Sequence, residues 1–168
     1  ADGDYTYTEA FDMYQEQVRI LADAGIDLIA AETMINIEET LAAVDAASSV
    51  CDLPIMCTMT VEADGSIFSG GNAIEAAVSL EAAGADAVGP DQLVSVVRSI
   101  KENVSIPVIA KPNAGMPTID DKGHAVYSMN AEDFASYMKV LIESGASVVG
   151  GCCGTTPAFI KALHDNIR

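Results

Sequence analysis

The sequence predicts an α/β fold built on a parallel sheet, and three observations carry that prediction. First, one phrase recurs as Ala24-Gly25-Ile26-Asp27-Leu28-Ile29, Ala83-Gly84-Ala85-Asp86-Ala87-Val88 and Ser144-Gly145-Ala146-Ser147-Val148-Val149. Each copy reads as a helix closed by glycine and followed at once by a buried strand. The glycines stand at 25, 84 and 145, about two βα units apart. Second, apolar segments at 54–60 and 107–111 fall between the copies, so strands are expected to start near 27, 54, 86, 107 and 147. Strict alternation of helices with short, doubly buried strands means parallel pairing. Third, no glycine-rich dinucleotide fingerprint follows any strand, which weakens a doubly wound sheet against a (β/α) barrel. Five strands cannot close a barrel of eight, so on the barrel reading this chain is part of one.

The elements follow in order. Phe11, Tyr14, Val18 and Leu21 form the apolar stripe of a first helix, and the strand from Asp27 ends at Glu32 and Thr33. Ile37, Leu41 and Val44 make the next stripe, with Asn36 and Glu39 at capping-box spacing before it. After the strand at 54–60, Asn72 and Glu75 repeat that start signal. A stripe of Leu93, Val96, Val97 and Ile100 follows the third strand, and Pro90 is suited to open that helix. Phe134, Tyr137, Met138 and Leu141 give the clearest stripe, and Pro157 suits the first position of the last helix. All of these stripes are core faces.

At 168 residues the chain is long enough for one ordinary domain, and with half of its residues hydrophobic and a mean hydropathy of +0.28 it has material for a sizeable core. Eight Lys and Arg stand against 25 Asp and Glu, a formal charge of −17 with no basic run to offset it. That balance excludes nucleic acid and an anionic membrane surface as partners, because both are polyanions. No apolar run approaches the length of a membrane span, and residues 1–8 lack the layout of a signal peptide. Four cysteines, two of them adjacent, are too few for a disulfide scaffold, so reduced thiols in a cytoplasmic setting are expected.

In a βα barrel, reactive groups gather at the carboxyl ends of the strands. Those ends are Glu32 and Thr33, residues 58–60, Gly89, Lys111 with Asn113 and Ala114, and Cys152 with Cys153. The cysteines sit in Gly150-Gly151-Cys152-Cys153-Gly154-Thr155-Thr156-Pro157, where the glycines permit a turn that brings both thiols to one point. Two converging thiolates are half of a tetrahedral zinc site, and the alternative is a pair of buried cysteines packing as small hydrophobes. Thr58 and Thr60 share one strand face, and Cys57 beside them reads as packing. Cys51 reads as the end of a helix-to-strand loop, and His124 and His164 as surface residues.

The segments 27–33, 84–89 and Pro112-Asn113-Ala114-Gly115-Met116-Pro117, together with 150–157, occur in the order found in homocysteine S-methyltransferases. The chain resembles the homocysteine-binding domain of that family, as in cobalamin-dependent methionine synthase and betaine–homocysteine methyltransferase. The resemblance implies a (β/α)8 TIM barrel of which residues 1–168 form one partial domain, roughly the C-terminal five strands. It implies that Cys152 and Cys153 are two of three zinc thiolates. The family's third cysteine lies in a short loop after the strand matching 85–89; here Gly89 runs straight into Pro90, so a few residues are expected to be missing at that junction. The implied reaction is zinc-dependent transfer of a methyl group to the thiolate of homocysteine, giving methionine. The implied donor is a methylated corrinoid, a folate-linked methyl or an onium compound, brought by another domain or protein. Glu32 is expected to bind the substrate ammonium, since burial at a strand end would make an unpaired carboxylate costly; its other reading is a loop cap. Asn113 is expected to contact substrate or fill a vacant zinc position, against a plain turn role, and Thr58 and Thr60 to contact substrate. Two further readings stay open: a non-catalytic module that binds zinc or an amino acid, and a zinc methyltransferase for another small thiol.

Overall fold

The computed structural model describes residues 5–62, 64–90 (of Pro90 the backbone only) and 94–167. Among the described residues six helices, α1 (Tyr7–Asp23), α2 (Ile37–Val50), α3 (Ala73–Ala83), α4 (Val94–Asn103), α5 (Ala131–Glu143) and α6 (Pro157–Asn166), alternate with five parallel strands. In chain order these are β1 (Ile29–Met34), β2 (Ile55–Met59), β3 (Ala87–Pro90) and β4 (Val108–Ala110), with β7 (Ala146–Val149) after a short antiparallel hairpin of β5 (Pro117–Ile119) and β6 (Ala125–Tyr127).

The order across the main sheet is β1-β2-β3-β4-β7, the same as the order along the chain. A doubly wound sheet reverses direction at a switch point; this one never does. It is an open arc of a (β/α)8 barrel, as expected. One face of the arc packs on the helices. Ile55, Cys57 and Met59 of β2, Val88 of β3 and Val108 and Ala110 of β4 join Val44, Leu80, Val97, Ile100, Phe134, Met138 and Leu141 in one core. By alternation Glu32, Thr58, Gly89 and Ile109 lie on the opposite, inner face. Gly89 is obligatory there, because a Cβ on it would stand 1.8 Å from the Ile109 carbonyl oxygen.

The helix boundaries follow their caps. Gly25, Gly84 and Gly145 all take positive φ (80°, 107° and 114°) at the turns from helix to strand. Asn36 accepts from the Glu39 N–H as expected, but the Glu39 carboxylate takes the Tyr14 hydroxyl at 2.8 Å, which ties α1 to α2. The reciprocal capping box forms instead at Thr6 and Glu9. Pro157 opens α6 as expected.

Four expectations are corrected. Pro90 does not open a helix: it ends β3, paired with Met59, and α4 starts at Val94. Leu93 and the join at 91–93 lie outside the described residues. The strands are not all doubly buried, since β1 and β7 flank the sheet and are partly exposed, β1 at Ala30, Glu32 and Thr33 and β7 at Ser147 and Val148. Leu21 is 38% exposed, so only part of the first stripe is core. The β5–β6 hairpin was not expected at all; its strands are three residues each and mostly exposed, too short to show a period.

Candidate metal and substrate site

The chain after β7 is zipped onto the chain after β4. Gly150 N–H donates to the Ala110 carbonyl at 3.1 Å, Cys152 N–H to Pro112 at 3.0 Å, and Ala114 N–H returns to the Cys153 carbonyl at 2.9 Å. The Cys153 N–H is capped by Asn113 Oδ1 at 3.0 Å. Thr155 closes the turn from the other side, its N–H and hydroxyl both donating to the Cys152 carbonyl, at 3.2 and 2.7 Å. Each backbone polar group named here has a partner, which fixes the loop before any ligand arrives.

This frame points both thiols the same way. Cys152 Sγ and Cys153 Sγ are 4.0 Å apart and not bonded to each other. Two sulfurs on one tetrahedral zinc, each at about 2.3 Å, stand about 3.8 Å apart, so the pair fits that ion with little adjustment. Cys153 is exposed and Cys152 half-buried, which removes the alternative of a buried hydrophobic pair.

Tyr127, at the end of β6, was not singled out in the sequence. Its ring lies on Gly154: a Cβ there would fall 2.3 Å from Tyr127 Cγ, and Gly154 holds φ +81°. Desolvation first, then the neighbouring Cys153, holds its phenol above the ordinary value. No local pattern announces this residue, because its position depends on the hairpin register that sets Tyr127 opposite Pro117.

Across the arc, Glu32 is not a buried, unpaired carboxylate. Its side chain is 54% exposed and pairs with the Lys111 ammonium, whose own side chain is 17% exposed. Thr58 is 2% exposed, and its Oγ1 accepts the Thr33 N–H at 2.9 Å. Thr33 holds φ 59°, the only positive φ outside glycine among the described residues, where β1 slips register between Ala31 and Met34. The Thr58 hydroxyl thus holds a bulge in place. Thr60 is half-buried, and its N–H donates to the Met34 carbonyl at 2.8 Å. Asn113 serves the cysteine loop through the hydrogen bond already described.

All four cysteines and both histidines are among the described residues. Cys57 is fully buried in the core, where burial pushes its thiol up to about 12. Cys51 caps α2. His124 pairs with Asp120 at 3.4 Å and is 72% exposed, and His164 lies on α6. Among the described residues no group of three His, Cys, Asp or Glu could hold a metal, so the visible donor set is the cysteine pair alone. No described helix is long and apolar enough to cross a membrane.

Comparison with known proteins bears on this arrangement. Residues 1–167 match the sequence family described as homocysteine S-methyltransferase. Methionine synthase of Mycobacterium tuberculosis is 33% identical over 173 residues, covering 96% of this chain and 14% of that protein. Homocysteine S-methyltransferase 3 of Zea mays is 32% identical over 167 residues, covering 94% of this chain and 49% of that one. Selenocysteine methyltransferase of Astragalus bisulcatus is 30% identical over 162 residues, with 91% and 48% covered. Among solved structures, the apo homocysteine methyltransferase MmuM of Escherichia coli superposes with a TM-score of 0.79 at 22% identity, over 96% of this chain and 57% of that one. This chain therefore spans about half the length of the plant enzymes and a small part of the methionine synthase. The profile match over nearly every residue shows that the chain belongs to the homocysteine S-methyltransferase family.

Proposed function

We propose that this chain is the thiol-activating part of an enzyme that transfers a methyl group to the sulfur of homocysteine, giving methionine, with zinc held by Cys152 and Cys153. The observation that carries the reading is the convergence of two thiols, 4.0 Å apart and not joined as a disulfide, on a loop already fixed by hydrogen bonds. When bound, zinc supplies a Lewis acid that keeps a substrate thiol deprotonated near neutral pH, where a free thiol is mostly protonated. The chain's own groups do the rest. Cys152 and Cys153 would hold the metal, Asn113 fixes the Cys153 backbone, and the Tyr127 ring covers the loop at Gly154. Glu32 takes the α-ammonium, while Thr58 holds the bulge beside it and Thr60 lines the same face. The substrate sulfur then displaces the carrier from the methyl carbon, its thiol proton having gone to solvent. The carrier is a methylated corrinoid, a folate-linked methyl or an onium compound, presented by another domain or protein. Thiols not joined as disulfides favour a reducing, cytoplasmic setting.

The third zinc thiolate belongs, on this reading, to a short loop between Gly89 and Pro90 that the sequence in hand lacks. Peptide mapping tests this: an uninterrupted Val88-Gly89-Pro90-Asp91 peptide overturns it. A non-catalytic zinc module is the second reading, favoured by a described donor set of two. Zinc content and methyl transfer, measured with each donor class and a panel of thiols and selenols, separate them. Transfer to homocysteine supports the enzyme; stoichiometric zinc without transfer to any acceptor supports the module.

A further inference from the structure

We propose that Lys111 determines substrate specificity. With Glu32 it forms a clamp that reads an α-amino acid as a zwitterion, Lys111 taking the α-carboxylate and Glu32 the α-ammonium. This rests on the homocysteine reading above and names the other half of the recognition.

β1 and β4 are not neighbours; β2 and β3 lie between them. An ion pair from Glu32 to Lys111 therefore spans the inner face of the arc. The two residues beneath it leave the space to these charges. Thr58 is buried with its hydroxyl committed to the Thr33 amide, and Gly89 has no side chain and cannot acquire one. Lys111 is directed inward because Ala110 before it packs on the helices. Its stem passes the base of the cysteine loop, where a Cβ on Gly150 would be 3.7 Å from Lys111 Cγ. The charge pair and the thiols thus share one end of the sheet.

The rest of the chain makes this cation unusual. The other described Lys and Arg residues lie on α1, α4, α5, α6 or the β5–β6 turn. A protein of net charge −17 repels a carboxylate on approach, so a carboxylate-bearing substrate needs a local cation at its seat. Glu32 is more than half exposed, so its bond to Lys111 is screened and costs little to open. A zwitterion replaces each partner with an equivalent charge and strands neither. A thiol carrying only one of the two charges leaves Lys111 or Glu32 without a counter-charge, and that selects against it.

Titration calorimetry on the zinc-loaded chain tests the proposal with L-homocysteine, 3-aminopropane-1-thiol, which lacks the carboxylate, and 4-sulfanylbutanoate, which lacks the ammonium. Wild type is expected to bind homocysteine tightest. Lys111→Met, or Lys111→Gln if the first does not fold, is expected to weaken homocysteine on the order of tenfold to a hundredfold. The same variant is expected to bind 3-aminopropane-1-thiol no more weakly than wild type, because no Lys111 ammonium is then stranded, with zinc stoichiometry unchanged, and Lys111→Arg retains homocysteine binding. Equal weakening of both ligands, or of neither, overturns the Lys111 assignment alone. If wild type binds none of the three thiols, the homocysteine reading fails, and the clamp falls with it.

Discussion

The two ends of the site are built by different means. At the β4–β7 end the backbone does most of the work: hydrogen bonds between residues 110–114 and 150–153 fix the cysteine loop, with Asn113 and the Thr155 hydroxyl as side-chain braces. At the β1–β2 end side chains do it: a buried threonine hydroxyl restrains a residue at positive φ, and an exposed ion pair reaches across the arc. A backbone-built loop sets a metal's geometry without depending on solvent. A side-chain-built end can exchange partners, which a binding site requires. The difference matches the proposed division of labour between holding an ion and admitting a substrate.

The largest effect expected at the first end is the loss of zinc. Cys152→Ala or Cys153→Ala should bring bound metal, measured by mass spectrometry after dialysis, from stoichiometric to near zero and abolish methyl transfer, with circular dichroism unchanged. Full metal and activity in both variants would remove the reading. Alkylation sharpens the contrast with β2. At pH 8 Cys153 should label readily, while Cys57, its thiol pushed up to about 12 by burial, should react on the order of a thousandfold more slowly until the protein unfolds. Labelling of Cys57 at the rate of Cys153 would mean that the core opens.

At the substrate end, Glu32→Gln should weaken homocysteine binding on the order of tenfold with zinc content intact. Unchanged affinity would leave the carboxylate a partner for Lys111 only. Thr58→Val keeps the shape but removes the acceptor of the Thr33 amide, and should cost about 1–3 kcal/mol in urea unfolding. No loss would show that the bulge needs no brace. The smallest effect should come from Asn113→Ala, which should lower zinc affinity by about tenfold in chelator competition. If zinc affinity does not change, the backbone alone positions the loop.

The sequence made the cysteine end legible because its chemistry is local. Adjacent thiols in a glycine frame after an apolar strand carry their meaning in eight residues, and the alternation of strands and helices is equally local. The other end depends on distance in sequence. Glu32 and Lys111 are 79 residues apart, and Thr33 and Thr58 are 25 apart, so each pairing exists only once strands are in register. The bulge could not be foreseen, because threonine favours extended backbone and nothing beside Thr33 signals positive φ. Tyr127 was missed for the same reason: its partner lies beyond α5, in a loop reached only through tertiary packing.

The seat of the Tyr127 ring on Gly154 carries an evolutionary consequence. A side chain at 154 collides with that ring, and its removal clears the collision without relieving the φ of +81°. Substitutions at the two sites are therefore epistatic. Any residue at 154 is excluded while Tyr127 stands, and once 127 is small only residues tolerant of left-handed backbone, such as asparagine, can follow. A lineage that trims the hairpin must change 127 first and 154 second, and every intermediate carries a cysteine loop that has lost its aromatic cover.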